Sequence, residues 1–104
     1  MNNLKYWIWL SRLNKVENST LHLLLNKYKK PEMIFCLNKK ELIKNNIKTN
    51  EIEDILDVKN RENLDKYENY LLKNNIELIN IKDKYYPEKL KNIYDAPISF
   101  FFKR

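Results

Sequence analysis

The end of the chain constrains the fold most, because an apolar segment there needs more neighbours than the sequence supplies. The run that begins at Ile98 and ends at Phe102 is short, β-branched and aromatic, and it is apolar on both faces. Such a pattern is typical of a buried strand in a parallel sheet. We therefore expect the molecule to be incomplete. Without partner strands, this segment would expose unpaired backbone and phenylalanine rings, which predicts self-association.

A turn and a short helix precede this strand. Pro87 fixes its own φ and pushes Tyr86 towards an extended backbone, which predicts a turn. A short helix is predicted from residue 88 to residue 94, and an earlier, isoleucine-rich strand is predicted at residues 76–81. The apolar positions of the short helix are Leu90, Ile93 and Tyr94.

Apolar periodicity predicts a bundle of short helices in the first half of the chain. Residues 4–13 are apolar almost all round, which predicts a central helix with Trp7 and Trp9 in the core. The alternative role of these tryptophans is to stack on nucleic-acid bases. A second helix, capped by Asn18 or Ser19, is expected to bury one apolar face. That face consists of Leu21, Leu24, Leu25 and Tyr28.

Two shorter helices are predicted next. Pro31 suits the first turn of a third helix that runs to Leu37. Asn38 and Glu41 have the spacing of a capping box, in which each side chain accepts a hydrogen bond from the other residue's backbone, and they begin a fourth helix. The only cysteine, Cys36, lies in the apolar segment before this box, and we expect it to be a small buried residue.

A longer helical element is predicted from residue 49 to residue 75, with Thr49 as its cap. The polar stretch 59–63 is expected to kink this element or to divide it in two. Its acidic residues are interpreted as a solvated outer face. The buried stripe is expected to consist of Ile52, Ile55, Leu56, Leu64, Tyr67 and Leu71.

The composition excludes several classes of function. The chain has no glycine, which rules out the glycine-rich loops that bind nucleotide phosphates. One cysteine and one histidine, His22, leave no set of metal ligands, so we expect no metal and no cofactor. No carboxylate pair has the companions that acid–base catalysis needs, and we expect no enzyme. No apolar run approaches the roughly 20 residues of a membrane span, and no signal peptide is evident, which predicts a cytoplasmic protein.

Positive charge is concentrated in the first half of the chain. The net charge is +6, with ten basic and three acidic residues among residues 1–48 and an acidic excess in residues 49–75. A basic region is typical of proteins that bind nucleic acid or an acidic partner, although a solvated lysine-rich surface produces the same pattern. The candidate phosphate contacts are Lys27, Lys29, Lys30, Lys39, Lys40 and Lys44.

The second half of the chain resembles the junction of the DNA-processing protein A family, also called DprA or Smf. In that family, a helical domain similar to sterile-alpha-motif or helix-hairpin-helix folds leads into an extended Rossmann domain. The junction pattern is a strand, then Tyr-Pro, Leu, Asp and Pro, and then an apolar strand that closes on a basic residue. The residues that match this pattern between the two predicted strands are Tyr86, Pro87, Leu90, Ile93, Asp95 and Pro97. After the second strand, the matching basic residue is Lys103.

This resemblance implies a mainly α fold. Residues 1–75 would form the helical accessory domain, and residues 76–104 would form the β-α-β start of a Rossmann-like domain. The resemblance also implies a function in natural transformation, because DprA-like proteins bind incoming single-stranded DNA, protect it and load the RecA recombinase. The main DNA site of the family lies beyond the matched residues, so the resemblance gives this chain none of that site's residues.

The sequence departs from the family pattern at two places. Arg104 stands where the family has glycine. The first connection between helices, residues 14–18, also lacks the glycine that related helix-hairpin-helix turns use to let the backbone approach a phosphate. Two alternatives stay open, a stand-alone basic module that binds nucleic acid and a domain that binds an acidic protein partner.

Overall fold

Helices form most of the structure, and a two-stranded sheet follows them. The computed structural model describes residues 4–93 and 95–103. The predicted mainly helical fold is confirmed, and none of the helices in the described ranges is long and apolar enough to cross a membrane. In chain order the elements are α1 (Leu4–Ser11), α2 (Asn18–Tyr28), α3 (Pro31–Phe35), α4 (Lys39–Lys44), α5 (Thr49–Leu56), a 3₁₀ helix (Val58–Arg61), α6 (Leu64–Lys73), β1 (Ile76–Asn80), α7 (Glu88–Lys91) and β2 (Ser99–Lys103).

The first helix lies at the centre of the core, as its apolar pattern predicts. Four consecutive residues of α1, Trp7 to Leu10, are buried, so neighbouring elements cover the helix on every side. These neighbours are α3, α6 and both strands. Trp7 and Trp9 are therefore core residues, and their rings are not accessible for stacking on bases.

Two predicted helix caps are wrong by one or two residues. The N-cap of α2 is Glu17 rather than Asn18 or Ser19, and it makes no side-chain cap hydrogen bond. The N-cap of α5 is Lys48, and Thr49 is the first residue inside the helix. At the start of α2, a carboxylate from a distant helix accepts a hydrogen bond from the backbone N–H of Glu17.

The start of α4 confirms the predicted capping box. The backbone N–H of Glu41 donates to Asn38 Oδ1 at 2.9 Å, and the backbone N–H of Asn38 donates to Glu41 Oε1 at 3.0 Å. Pro31 occupies the first turn of α3, as expected. The side chains of this box satisfy two backbone donors that a helix start otherwise leaves without partners.

The prediction that Cys36 is buried is wrong, because its side chain is exposed. The third helix ends at Phe35, two residues earlier than predicted, and Cys36 is its C-cap. Ile34 and Leu37, on either side, are buried. Their spacing of three residues matches one side of a helical turn, which leaves Cys36 pointing outwards.

The predicted long element is broken around its polar middle, as expected, and forms α5, the 3₁₀ helix and α6. Glu62 and Asn63 lie between the 3₁₀ helix and α6, and Asn63 has a positive φ of 57°. The predicted stripe is largely confirmed, but Tyr67 is exposed and only borders it. The interpretation of the acidic residues as a solvated face is wrong for Glu51 and Asp54, which are 2% and 7% exposed. The buried members of the stripe are Ile52, Ile55, Leu64 and Leu71.

Asparagine performs the conformational role that glycine usually has in tight turns. Asn46, Asn63 and Asn75 all have φ values between 57° and 59°, in the left-handed region. Among non-glycine residues, asparagine enters this region most readily because its short polar side chain forms local hydrogen bonds. Lys29, with φ 71° at the C-cap of α2, has no such side chain and holds a strained backbone.

The two strands pair in the antiparallel direction, with Leu78 opposite Phe101 at the centre. The predicted first strand is confirmed, and its Ile76 and Leu78 pack against the helical core. The expectation that the second strand is buried on both faces in a parallel sheet is wrong. Phe101 and Phe102 point to opposite faces and are 44% and 51% exposed, so neither face is fully covered there. In the described residues, β1 is the one strand that pairs with β2, and it does so in the antiparallel direction.

The helix between the strands is shorter than predicted. It ends at Lys91, so Ile93 lies after the helix and is exposed instead of sharing a buried face with Leu90, which is half-buried. Tyr94, a predicted apolar position of this helix, and Arg104, which departs from the family pattern, lie outside the described residues.

Candidate nucleic-acid interface

The six candidate lysines lie on two neighbouring parts of the surface, and all six are exposed. Three of them are near the C-terminal end of α2, where Lys29 is the C-cap and Lys30 is the N-cap of α3. The other three are on α4. We call this surface the lysine corner, which consists of Lys27, Lys29, Lys30, Lys39, Lys40 and Lys44.

Asn45 connects the two parts of the lysine corner. It is the C-cap of α4, and its side-chain oxygen accepts a hydrogen bond from Lys27 Nζ at 2.6 Å. Its side-chain nitrogen donates to the hydroxyl of Tyr28 at 2.9 Å. These contacts hold the end of α4, including Lys44, beside the end of α2. Lys39, at the start of α4, lies about 7.5 Å from Lys44 along the helix axis, given a rise of about 1.5 Å per residue.

The lysine corner has no acidic partner among the residues that the structure describes. The ion pairs among the described residues lie outside the corner and join Lys5 to Asp65 at 3.6 Å and Lys48 to Glu17 at 2.7 Å. The hydrogen bond with Glu17 raises the pKa of Lys48. Glu41, the acidic residue of α4, is held by the backbone of Asn38. The corner therefore presents ammonium groups whose counter-charge must come from solvent ions or from a bound anion.

The connection between α1 and α2 is closed to external anions, because buried carboxylates already bind its backbone. The N–H of Lys15 donates to Asp54 Oδ2 at 3.0 Å, and the N–H of Glu17 donates to Glu51 Oε2 at 2.9 Å. The hydroxyl of Thr20 donates to the same Glu51 oxygen at 2.9 Å. A phosphate could reach these donors only by displacing two buried side chains.

The hydrogen bonds of each carboxylate offset part of the desolvation cost of its burial. Besides Lys15, the side-chain nitrogen of Asn60 donates to Asp54 Oδ1 at 3.0 Å. Buried carboxylates are tolerated when donors replace the water that they lose. The spacing of three residues places Glu51 and Asp54 on one side of α5, but the sequence does not show that other elements cover this side.

Both arginines in the described ranges bind backbone carbonyls inside the protein. Arg12 Nη1 donates to the carbonyl oxygens of Asn60 and Glu62 at 3.1 and 2.7 Å. Arg61 donates to those of Phe35 and Ile55, both at 3.0 Å. Neither guanidinium is directed to the lysine corner, so phosphate recognition there would depend on lysine.

The Arg61 guanidinium also packs on aromatic rings in the core. Its carbon lies 5.0 Å from the centroid of the Trp9 ring and 4.1 Å from that of Phe35. Burial lowers the pKa of Arg61. The side chain therefore joins the 3₁₀ helix to α1 and α3, a role that its position in a polar stretch of sequence did not indicate.

The junction residues have a structural role. Tyr86 is buried, and its hydroxyl donates to the carbonyl oxygen of Pro97 at 2.5 Å. Burial raises the pKa of Tyr86. Its ring lies 5.7 Å from that of Phe100 in β2. These two contacts of Tyr86 hold the connection between the strands against the start of β2.

The same connection is attached to α2. His22 Nε2 lies 2.8 Å from the carbonyl oxygen of Ala96, and the side chain of Asn18 donates to the carbonyl of Asp95 at 3.3 Å. The other junction residues have exposed or peripheral positions. Pro87 is the N-cap of α7, and Lys103 lies opposite Ile76 in the sheet.

Comparisons with known proteins give no relatives. No family model, no curated protein and no solved structure matches this chain. Within the described ranges, no group of three His, Cys, Asp or Glu side chains is placed to hold a metal ion. The candidate site therefore rests on the geometry of the lysine corner.

Proposed function

We propose that this chain is the N-terminal part of a DprA-like protein, which binds single-stranded DNA and loads RecA during natural transformation. The chain's own contribution is a set of phosphate contacts from the lysine corner. The observation that carries this proposal is the grouping of six exposed lysines with no acidic partner among the described residues. In the proposal, the helices up to α6 correspond to the helical accessory domain of the family, similar to sterile-alpha-motif or helix-hairpin-helix folds.

The junction supports the family part of the proposal. Tyr86 and Pro97, two residues of the resemblance, are in direct contact although eleven positions separate them. His22 and Asn18 attach the same segment to α2. The family would place a Rossmann-like domain after this segment, with the main DNA site there. Because β1 and β2 are antiparallel, they are not themselves a parallel β-α-β unit of such a domain.

Lysine contacts of this kind would bind the DNA backbone without reading its sequence. Each ammonium group acts as a point charge towards a phosphate and releases a condensed counterion. For single-stranded DNA, the logarithm of the binding constant falls by roughly 0.7 per contact for each tenfold rise in salt. The proposal therefore predicts weak binding at low salt that disappears steeply as salt increases.

The experiment is a titration of a fluorescent oligothymidine with the full chain, followed by anisotropy at several salt concentrations. A triple variant replaces Lys39, Lys40 and Lys44 by glutamine. We expect it to bind at least tenfold more weakly at low salt and to lower the salt slope by roughly 2. The matched control replaces three exposed lysines elsewhere, Lys59, Lys73 and Lys89, and should change binding much less.

Equal losses in the two triple variants would show that only the net charge matters, which contradicts a defined corner. No binding to single- or double-stranded DNA at low salt would contradict the DNA contacts altogether. The family part is tested by the nucleotide sequence downstream of the Lys103 codon. A glycine-rich Rossmann continuation there, in frame or shifted, supports membership, and unrelated sequence contradicts it.

A further inference from the structure

The outer edge of β2 presents a regular set of backbone hydrogen-bonding groups. The N–H of Ile81 donates to the carbonyl of Ile98 at 2.7 Å, so these two opposed residues form a hydrogen-bonded pair. In an antiparallel ladder, hydrogen-bonded pairs alternate along the strand. Phe100 and Phe102 therefore bond to β1, whereas the backbone groups of Ser99, Phe101 and Lys103 point away from it.

This edge has features that in other proteins lead to strand addition. In the described part of the chain, β1 is the one strand that pairs with β2. The edge is not protected by proline or by a bulge, and its one charged residue, Lys103, stands at the end of the strand. Phe101 and Phe102 are both about half exposed beside it.

An exposed aromatic band reaches the same edge from the helical side. The rings of Tyr67 and Tyr70 are stacked, with centroids 5.9 Å apart, and the ring of Phe101 meets Tyr67 edge-on at 6.4 Å. All three side chains are exposed. The band therefore runs from α6 onto β2 and ends at the strand edge, where a neighbouring strand would extend it.

We propose that β2 pairs with β2 of a second copy of this chain, antiparallel and about a two-fold axis at Phe101. The result is a four-stranded sheet with the order β1-β2-β2-β1. This register pairs all three outward-facing residues, with Phe101 opposite itself and Ser99 opposite Lys103. A shift by two residues in either direction would leave one of them without a partner.

The occupant of the edge is a second copy because the surface is complementary to itself. The two-fold register places each Lys103 opposite a serine, so no like charges face each other across the ladder. It also brings the two aromatic bands together on one face of the sheet. The net charge of +6 on each chain opposes association over longer distances, so pairing should strengthen as salt screens it. This salt dependence is opposite to that expected for DNA binding.

The first test is sedimentation equilibrium of the full chain up to millimolar concentration at low and high salt. We expect a monomer–dimer equilibrium that shifts towards dimer as salt increases. Ser99→Pro should raise the dissociation constant at least tenfold. The N–H of Ser99 points away from β1, so proline removes an edge donor while the bonds to β1 remain. A wild-type chain that stays monomeric throughout overturns the proposal and leaves the edge to a strand from a different protein.

The second test determines the register by disulfide cross-linking in a Cys36→Ser background, since Cys36 is exposed and would itself react. Phe101→Cys should form a disulfide-linked dimer, because residues opposed in a hydrogen-bonded pair have Cα atoms about 5.5 Å apart. Phe102→Cys is the register control, because its two copies lie diagonally, beyond the reach of a disulfide. Val58→Cys, exposed on the 3₁₀ helix, measures random collision. Cross-linking of Phe101→Cys no faster than that of Val58→Cys overturns the proposal.

Discussion

The two ends of α2 use their polar groups in opposite ways. At the N-terminal end, the backbone donors of Lys15 and Glu17 are bound by carboxylates that come from α5 and are almost completely buried. At the C-terminal end, the lysine corner is exposed and has no acidic partner within the described residues. The connection between α1 and α2 is therefore satisfied internally, and the exposed lysines lie at the other end of α2.

If the lysine corner binds DNA as proposed, residues at one end of α2 contribute to stability and residues at the other end contribute to binding. A buried carboxylate that accepts several hydrogen bonds stabilises the fold strongly, because its removal leaves donors without partners. Exposed lysines contribute little to stability and remain available to a ligand. Substitutions at the closed end should therefore change the free energy of unfolding, and substitutions at the open end should change binding.

The largest effect is expected for Glu51→Ala. The substitution leaves the N–H of Glu17 and the hydroxyl of Thr20 without their partner and should lower the free energy of unfolding by about 2 to 4 kcal/mol. Urea unfolding monitored by circular dichroism measures this. Glu53→Ala on the exposed side of the same helix is the control and should stay within about 0.5 kcal/mol of wild type. Equal losses in both variants would mean that the turn is not held by Glu51.

Arg61→Ala should lower the free energy of unfolding by about 2 to 3 kcal/mol. The substitution removes two hydrogen bonds to carbonyls and the contacts with two aromatic rings. Arg61→Lys should recover less than half of the loss, since an ammonium group cannot reach both carbonyls as the planar guanidinium does. DNA affinity should fall no more than in Lys59→Gln, which removes a neighbouring exposed charge. A selective loss of DNA binding in the arginine variant would contradict its internal role.

Tyr86→Phe should lower the free energy of unfolding by about 1 kcal/mol, because it removes the hydrogen bond to Pro97. Tyr85→Phe, at an exposed neighbour, is the control. Burial raises the pKa of Tyr86 in the folded state above its ordinary value of about 10. Its contribution to stability is therefore complete below pH 10 and is lost as the pH rises further. The stability of Tyr86→Phe relative to wild type should improve above that pH, and an unchanged difference would contradict this.

The smallest effect on stability is expected for Lys29→Gly within the lysine corner, and it is an increase. Lys29 has a positive φ that glycine adopts without strain, so the substitution should stabilise the protein by about 0.5 to 1 kcal/mol. Lys30→Gly removes the same charge at a residue with φ −127° and should give no gain. Both variants should weaken DNA binding to a similar, small extent. A stability gain in both would exclude relief of strain as the cause.

Local chemistry made much of the fold predictable from the sequence. The all-round apolar pattern of residues 4–13 identified the central helix, and the spacing of Asn38 and Glu41 identified a capping box that the structure contains. The polar stretch 59–63 correctly indicated a break. In each case the determining contacts lie within a few residues along the chain.

Contacts between distant residues were not predictable in the same way. The roles of Glu51, Asp54 and Arg61 depend on groups that other helices bring to them, and isolated charges in a sequence usually indicate a solvated surface. The connection between the strands also contacts α2, where His22 lies 2.8 Å from the carbonyl oxygen of Ala96, 74 residues further along the chain. The six lysines could be proposed from charge alone, but Asn45, which joins their two parts, could not.

The difference between the two ends of α2 is tested most directly by amide chemical shifts. Single-stranded oligothymidine is added to the ¹⁵N-labelled chain at low salt, and the shifts are followed by residue. We predict perturbations concentrated at residues 27–30 and 39–45, with the amides of Lys15 and Glu17 unchanged. Perturbations centred on Lys15 and Glu17, with none at the lysine corner, would contradict the account.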